Sequence, residues 1–326
     1  MGGYIVRRIL QFIPVFLGVT ILLFTLRVVI PGDPVRMIAG ERALPEETVQ
    51  QIIKANHFDE PIVVQYGYYM TSLLQGDLGH SYQRGTDVME IFAEKFPYTA
   101  RLALCAILIE IVVGIFAGII SAVKRYSFAD ILVTLSTSLL VSMPVFWLGM
   151  LLQMALGIWL KDLTGGALSL PISGAGGPIS LYPTWMHYIL PSITLASVSL
   201  AFTARIMRSQ LLEVMNADYI RTAFAKGLSR RAVIFKHALK NAMIPVVTFI
   251  GIDFGTMMAG AILTESVFSW PGIGREIYLA IIQRDWPVVM GGVILVVIIV
   301  MLINLVIDIS YALFDPRIRY GKRKAD

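Results

Sequence analysis

Residues 218–245 read DYIRTAFAKGLSRRAVIFKHALKNAMIP, a strongly basic segment between two apolar runs. Alanine is frequent in its first part, which predicts a short helix over Tyr219–Lys226. Gly227 falls where a left-handed residue would end that helix, and Ser229 can cap a second helix over about Arg230–Ala242. We therefore predict a helix–glycine–helix element, hereafter the basic segment, whose charges keep it out of the membrane.

Two interpretations of the basic segment follow from its residues. Asn216 and Asp218 are helix-capping residue types, and the small residues Ala223 and Ala225 leave a surface that another protein can approach closely. A short helix carried by two membrane helices is well placed to pass force between a soluble partner and the membrane part. The alternative is a basic cytoplasmic loop that obeys the positive-inside rule.

The composition of the chain defines its class. Of 326 residues, 56% are apolar, and the mean hydropathy is positive. Several apolar runs reach the roughly 20 residues that cross a bilayer as a helix. We predict an all-α integral membrane protein with six transmembrane helices. The apolar runs cover about residues 9–30, 98–123, 131–160, 188–207, 243–264 and 288–313.

The cations predict how the chain crosses the membrane. They gather at alternate breaks in the apolar pattern, namely Arg7/Arg8, Lys124/Arg125, the 205–241 loop and the C-terminal tail. The positive-inside rule then places both termini in the cytoplasm. The first run is too long for a signal peptide and lacks an evident cleavage site, so it is expected to remain as a helix. The net charge of +5 is explained by these loops, and no nucleic-acid partner is expected.

Three parts of the chain are predicted from these runs. Residues 1–30 form the N-terminus and first transmembrane helix, and residues 31–97 form an extracytoplasmic helical insertion. In that insertion, Pro45 predicts a helix start and the aromatic spacing of Ile62–Leu74 predicts a second helix. Residues 98–326 form a five-helix core whose cytoplasmic loop covers about 208–242.

Three carboxylates within the apolar runs are candidates for the translocation path. Glu110, Asp253 and Asp308 qualify because an ionisable group inside a membrane is expensive and often functional. The alternative is a carboxyl group that is protonated or hydrogen-bonded to a neighbouring helix. In the same runs, Gly114 and Gly118 form a GxxxG pair that predicts close helix contact, and Pro144 predicts a kink.

The sequence carries none of the catalytic patterns that we sought. It has no GxxxxGK[ST] loop for nucleotide phosphates and no HExxH or GxSxG motif. The four histidines are scattered, and the one cysteine, Cys105, excludes an intramolecular disulfide. We expect no metal site, no cofactor and no enzymatic activity in this chain.

The basic segment resembles the EAA loop of ABC importer permeases, in the variant of the dipeptide/oligopeptide/nickel family. One departure from the general motif is that Arg221-Thr222-Ala223 stands where Glu-Ala-Ala is usual. Further motifs extend the resemblance over nearly the whole chain, with the dipeptide type the best match. In the basic segment and elsewhere, the matching motifs are 218–223, 225–227, 237–242, 244–245, 31–34, 76–79, 268–275, 284–285 and 315–320.

The resemblance implies a type I ABC importer permease fold in a bacterial or archaeal inner or plasma membrane. It implies three kinds of protein partner besides membrane lipid: a second related permease, two ABC ATPase subunits that hold ATP and Mg, and an extracytoplasmic substrate-binding protein. The first helix of the basic segment would be the coupling helix that docks on an ATPase. The implied coupling residues are Tyr219, Arg221, Thr222, Ala223, Ala225, Lys226, Gly227 and Leu228, supported by His237, Asn241 and Pro245.

The implied function is ATP-driven, binding-protein-dependent import of di- or oligopeptides by alternating access. Within the same architecture, nickel, glutathione or another small solute is the alternative cargo. A rival of another class is a self-contained carrier or channel, which would need pore-lining charges or inverted repeats. No internal repeat is evident in this sequence.

Overall fold

A computed structural model describes residues 2–30, 35 and 45–314 of the protein. The motifs at 31–34 and 315–320 and the basic tail lie outside the described residues. The α-helices of the described residues are joined by loops, one 3₁₀ turn (Thr184–Tyr188) and three π-helical turns (Glu110–Gly114, Gln153–Trp159 and Val233–Ala238). In chain order the helices described below are α1 Gly2–Val29, α2 Glu46–Ala55, α3 Ile62–Leu74, α4 Val88–Ile109, α5 Ile115–Val123, α6 Phe128–Ser142, α7 Val145–Leu152, α8 Leu160–Leu163, α9 Ile189–Met215, α10 Asp218–Ala225, α11 Arg230–Ala232, α12 Leu239–Met258, α13 Ile262–Val267, α14 Ile273–Gln283 and α15 Trp286–Phe314.

Six helical stretches of the described residues are long and apolar enough to cross a bilayer. Their lengths range from 19 to 36 residues, which meets the requirement of a helical span. The prediction of an all-α membrane protein with six spans is confirmed. The stretches are Val6–Val29, Val88–Val123, Val145–Leu163, Thr184–Met215, Arg230–Met258 and Trp286–Ile309.

The chain divides into two compact units. The first comprises Met1–Pro97 with Gly272–Asp326, and the second comprises Tyr98–Pro271. In the first unit, Phe92 on α4 packs with Ile277 on α14 and Val288 on α15 in one buried cluster. Apolar side chains of α1, α3 and α15 form another buried cluster.

The Arg284-Asp285 motif in the first unit closes the turn between α14 and α15. Arg284 ends α14 in a left-handed conformation, with φ 56°. The buried Asp285 carboxylate accepts hydrogen bonds from Ser81 Oγ at 2.5 Å and from the Tyr82 amide at 3.0 Å. The motif therefore fastens the loop at residues 81–82 to the start of α15.

Helix α9 is the centre of the second unit, packing against α5, α6 and α12. The approach to α5 is close because two glycines face α9. A Cβ atom on Gly118 would lie 2.6 Å from the Ala204 carbonyl oxygen, and one on Gly114 would lie 3.0 Å from Thr203 Cγ2. The predicted close contact at the GxxxG pair is confirmed.

Several predicted helix limits were wrong. Helix α4 begins at Val88 rather than near Tyr98. Instead of a kink, Met143 and Pro144 separate α6 from α7, because a proline is disfavoured within a helix and restricts the residue before it. The segment between the fifth and sixth predicted apolar runs contains the 11-residue helix α14.

Candidate functional site

The first helix of the basic segment is α10, which runs from Asp218 to Ala225. Its N-cap is Ala217 with no side-chain hydrogen bond, so neither predicted capping residue caps it. Gly227 ends the turn with φ +78°, as predicted. A Cβ atom at Gly227 would meet nothing within 4 Å, so the backbone conformation alone favours glycine there.

The second helix begins where it was predicted but does not end there. Ser229 Oγ accepts a hydrogen bond from the Ala232 amide at 3.3 Å. Helical structure then continues through α11, a π-helical turn and α12 as far as Met258. Pro245 lies inside α12 and does not separate the basic segment from the next apolar run.

One face of α10 packs onto the π-helical turn at Val233–Ala238. Ile220 is fully buried and Ala223 is 6% exposed, one helical turn apart on the same face. The Tyr219 hydroxyl accepts a hydrogen bond from Asn241 Nδ2 at 2.8 Å. The structure thus brings one predicted coupling residue together with one predicted supporting residue.

The other face of α10 is open. Three large apolar side chains remain exposed around it: Tyr219 by 44%, Phe224 by 42% and Leu228 by 39%. The predicted coupling residues other than Ala223 belong to this exposed set, which includes Arg221, Thr222, Ala225, Lys226 and Gly227. Phe224 was not among the predicted coupling residues, although an aromatic residue between two small residues of a basic helix was the available signal.

An ion pair holds the end of α9 that leads into α10. Arg208 donates two hydrogen bonds to the Asp130 carboxylate, from Nε at 2.8 Å and from Nη2 at 2.9 Å. Ser121 Oγ and the Tyr126 amide also donate to this carboxylate. Asp130 lies outside the six candidate spans, and the Arg208 guanidinium together with these donors holds its pKa well below the usual range. Neither residue of the pair was among the predicted site residues.

The start of α11 is fastened to the same turn. Arg230 Nη2 donates to the Val123 carbonyl oxygen at 3.2 Å, at the C-terminal end of α5, where carbonyl groups lack helical partners. Residues 121–130 therefore contact both helical stretches that flank α10.

Two of the three candidate carboxylates lie together in the second unit. Glu110 is fully buried and accepts a hydrogen bond from Thr203 Oγ1 at 2.6 Å. Asp253 is the acidic neighbour of Glu110, and it lines a cavity of about 370 Å³ with Thr256 and Ser199. In the described part of the chain, Glu110 Oε2 and Asp253 Oδ2 are buried without a hydrogen-bond donor from another residue.

Asp308 belongs to the first unit and has a different environment. Its carboxylate pairs with the Arg8 guanidinium, with Arg8 Nε and Asp308 Oδ2 3.0 Å apart. The pair connects α1 with α15, which also contact along their length. An ion pair of this kind stabilises the packing of two membrane helices.

Comparison with known families defines the class of protein. Residues 114–320 match the binding-protein-dependent transport system inner membrane component family, and residues 1–103 match the N-terminal family of such membrane components. The chain belongs to the binding-protein-dependent transport system inner membrane component family. It is a transport subunit, a multi-pass membrane permease of an ABC importer.

Individual relatives match this chain over nearly its full length. The chain is 42% identical to the dipeptide transport system permease protein DppB of Escherichia coli (strain K12), over 99% of this chain and 100% of the relative. It is 38% identical to the glutathione transport system permease protein GsiC of Escherichia coli O6:H1 (strain CFT073), over 98% and 100%.

A solved structure supports the fold. The MetNI methionine ABC transporter, in an inward facing conformation, matches with a TM-score of 0.54 and 18% identity. The match covers 70% of this chain and 97% of that chain. The fold is therefore the type I ABC importer permease fold that the sequence predicted.

Proposed function

We propose that this permease imports di- or oligopeptides. The observation that carries the proposal is the 42% identity over the full length to a dipeptide permease. Glutathione, itself a small peptide, is the second candidate because a glutathione permease is 38% identical over 98% of the chain. Nickel or another small solute stays the third alternative. Family membership removes the self-contained carrier or channel.

The importer would contain this chain, a second related permease, two ATPase subunits and an extracytoplasmic binding protein. ATP and Mg would be held by the ATPase subunits, since the sequence has no phosphate-binding loop of its own. The chain would lie in the inner or plasma membrane with both termini in the cytoplasm. Residues 31–97 would then be an extracytoplasmic insertion, and 98–326 the permease core.

Helix α10 would be the coupling helix. Its exposed apolar side chains, Tyr219, Phe224 and Leu228, would enter a groove on the ATPase, and Arg221 and Lys226 would contact polar groups around it. Aromatic and aliphatic anchors bordered by charges are typical of docking sites. Ala223 would act from inside, by letting α10 lie close to the turn at Val233–Ala238.

Force would pass from α10 into the membrane through the helices that flank it. The Asn241–Tyr219 hydrogen bond and the continuous helical structure from Arg230 to Met258 favour a stiff connection. His237 and Pro245 would act by shaping this stretch. Asp253 would line the path at its cavity, and the buried Glu110 would act from behind it, whereas Asp308 would serve packing.

The test is uptake of a labelled dipeptide by the native host with this gene deleted and then restored. We expect deletion to abolish ATP-dependent uptake and the restored gene to recover it. Excess unlabelled glutathione and nickel, added in parallel, separate the alternatives. If deletion leaves dipeptide uptake unchanged but abolishes glutathione or nickel uptake, the cargo is that solute and not a dipeptide.

A further inference from the structure

A groove of about 430 Å³ on the second unit is lined by none of the predicted coupling residues of α10. Its apolar lining includes Ile119 and Ile120 of α5 and Phe235 of the π-helical turn. Its charged lining consists of Lys124, Arg230 and Arg231. Ile120 is 44% exposed and Phe235 is 60% exposed, so the groove offers open apolar surface directly beside three cations.

The three groove cations form no ion pair with a described residue, because Asp130, the acid on the neighbouring turn, is paired with Arg208. Among the ion pairs of the described residues, none involves Lys124, Arg230 or Arg231. In the sequence, no Asp or Glu occurs between residues 111 and 129 or between 219 and 252. Arg230 donates one hydrogen bond to the Val123 carbonyl oxygen, which connects the start of α11 to the end of α5. A neutral carbonyl group does not neutralise the Arg230 charge.

The groove also lies where two candidate membrane spans end. Ile119 and Ile120 belong to the candidate span Val88–Val123, and Lys124 follows immediately. Arg230 is the first residue of the candidate span Arg230–Met258. The lining therefore changes from apolar side chains of a candidate span to cations within one groove, as a phospholipid changes from acyl chain to phosphate.

We propose that this groove binds an anionic glycerophospholipid. The phosphate lies among Lys124, Arg230 and Arg231, and an acyl chain lies against Ile120 and Phe235. Basic pockets between membrane helices recognise anionic headgroups in this way, because each cation near the surface attracts anionic lipid. A zwitterionic lipid brings no net charge to offset three cations. The bound lipid would join the end of α5 to the start of α11.

The test uses the full chain in lipid nanodiscs with Phe235→Trp as a reporter. Quenching of the added tryptophan is measured against the parent protein, with dibrominated phosphatidylglycerol or dibrominated phosphatidylcholine mixed into unlabelled phosphatidylcholine. We expect phosphatidylglycerol to quench at a lower mole fraction. Each groove cation replaced by Gln should weaken that preference by about fivefold, so Lys124→Gln/Arg230→Gln/Arg231→Gln should abolish it.

A matched triple variant controls for non-specific attraction of anionic lipid to any cation of this region. Arg125→Gln/Lys236→Gln/Lys240→Gln removes three cations of the same region that do not line the groove, and it should keep the preference. Equal quenching by the two lipids, or equal loss in both triple variants, would overturn the proposal. Displacement of the brominated lipid by purified ATPase subunits would assign the groove to a protein and would also overturn it.

Discussion

Phe224 distinguishes the two faces of α10 at the scale of single residues. Its neighbour Ala223 is buried against the chain's own π-helical turn, whereas the Phe224 ring is 42% exposed on a strongly basic surface. Exposing a large aromatic side chain forgoes roughly 2 kcal/mol of burial. Together with the other exposed apolar side chains, it forms the kind of surface that the proposed docking on a partner would cover.

We predict that Phe224→Asp abolishes ATP-dependent uptake while the protein remains in the membrane. A carboxylate buried without a partner in a docked interface would cost several kcal/mol, although it is tolerated on the free surface. Uptake and membrane abundance are measured together. Tyr126→Asp, at an aromatic position that is 78% exposed, is the matched control and should transport normally. Normal transport by Phe224→Asp would exclude this face from coupling.

A second prediction at the scale of single residues concerns Gly227. Because there is room for a side chain but φ is +78°, the cost of substitution is conformational, about 1–2 kcal/mol. Gly227→Val should lower uptake strongly, and Gly227→Asn should retain most of it because asparagine tolerates left-handed backbone. Trypsin cleavage of the basic segment in inside-out vesicles should rise in the Val variant only. Equal uptake by the two variants would show that the turn geometry does not matter.

The sequence indicated which charged residues of the apolar runs matter better than it indicated which residues they contact. Glu110, Asp253 and Asp308 were selected for one reason, their charge within apolar runs. The structure places the first two together and pairs the third with Arg8. Such pairings join positions over a hundred residues apart, so they depend on helix packing that local sequence does not encode.

At the scale of elements, the apolar pattern located the spans but not all their ends. Glu90, Glu94 and Lys95 excluded the first turns of α4 from the apolar run, yet the helix includes them because polar residues on one face do not stop a helix. Helical structure likewise passes Pro245, since neighbouring contacts compensate for the lost hydrogen bond. Local turn chemistry was predictable at Gly227 and Ser229, where one residue type satisfies one backbone need.

The Asp130–Arg208 pair connects elements, and its loss should be measurable as stability. The Asp130 side chain is 6% exposed and that of Arg208 is 31% exposed. Asp130→Asn should therefore cost roughly 1–3 kcal/mol, less than for a fully buried pair. Thermal unfolding in detergent measures the loss. Arg208→Gln added to Asp130→Asn should lower Tm little further, because the two share one interaction. Fully additive losses would contradict this.

At the scale of the whole molecule, the cations are distributed along the chain so that alternate loops carry them. The 205–241 region holds eight Lys or Arg against Glu213 and Asp218. The region at 161–186 instead is rich in Gly, Ser and Pro and carries only Lys161 and Asp162 as charges. If the positive-inside rule governs insertion, these two regions lie on opposite sides of the membrane.

Cysteine labelling tests this orientation. With Cys105 replaced by Ser, the chain carries no other thiol, so one cysteine at a time can be introduced. Leu181 and Tyr126 are suitable because they are 97% and 78% exposed in regions predicted to face opposite sides. In intact cells, a membrane-impermeant maleimide should label Leu181→Cys and not Tyr126→Cys. Permeabilisation should make both react, which controls for thiol reactivity. Labelling of Tyr126→Cys in intact cells would show that the topology is the reverse of the predicted one. Helix α10 would then face away from any cytoplasmic ATPase, and the proposed coupling would be wrong as well.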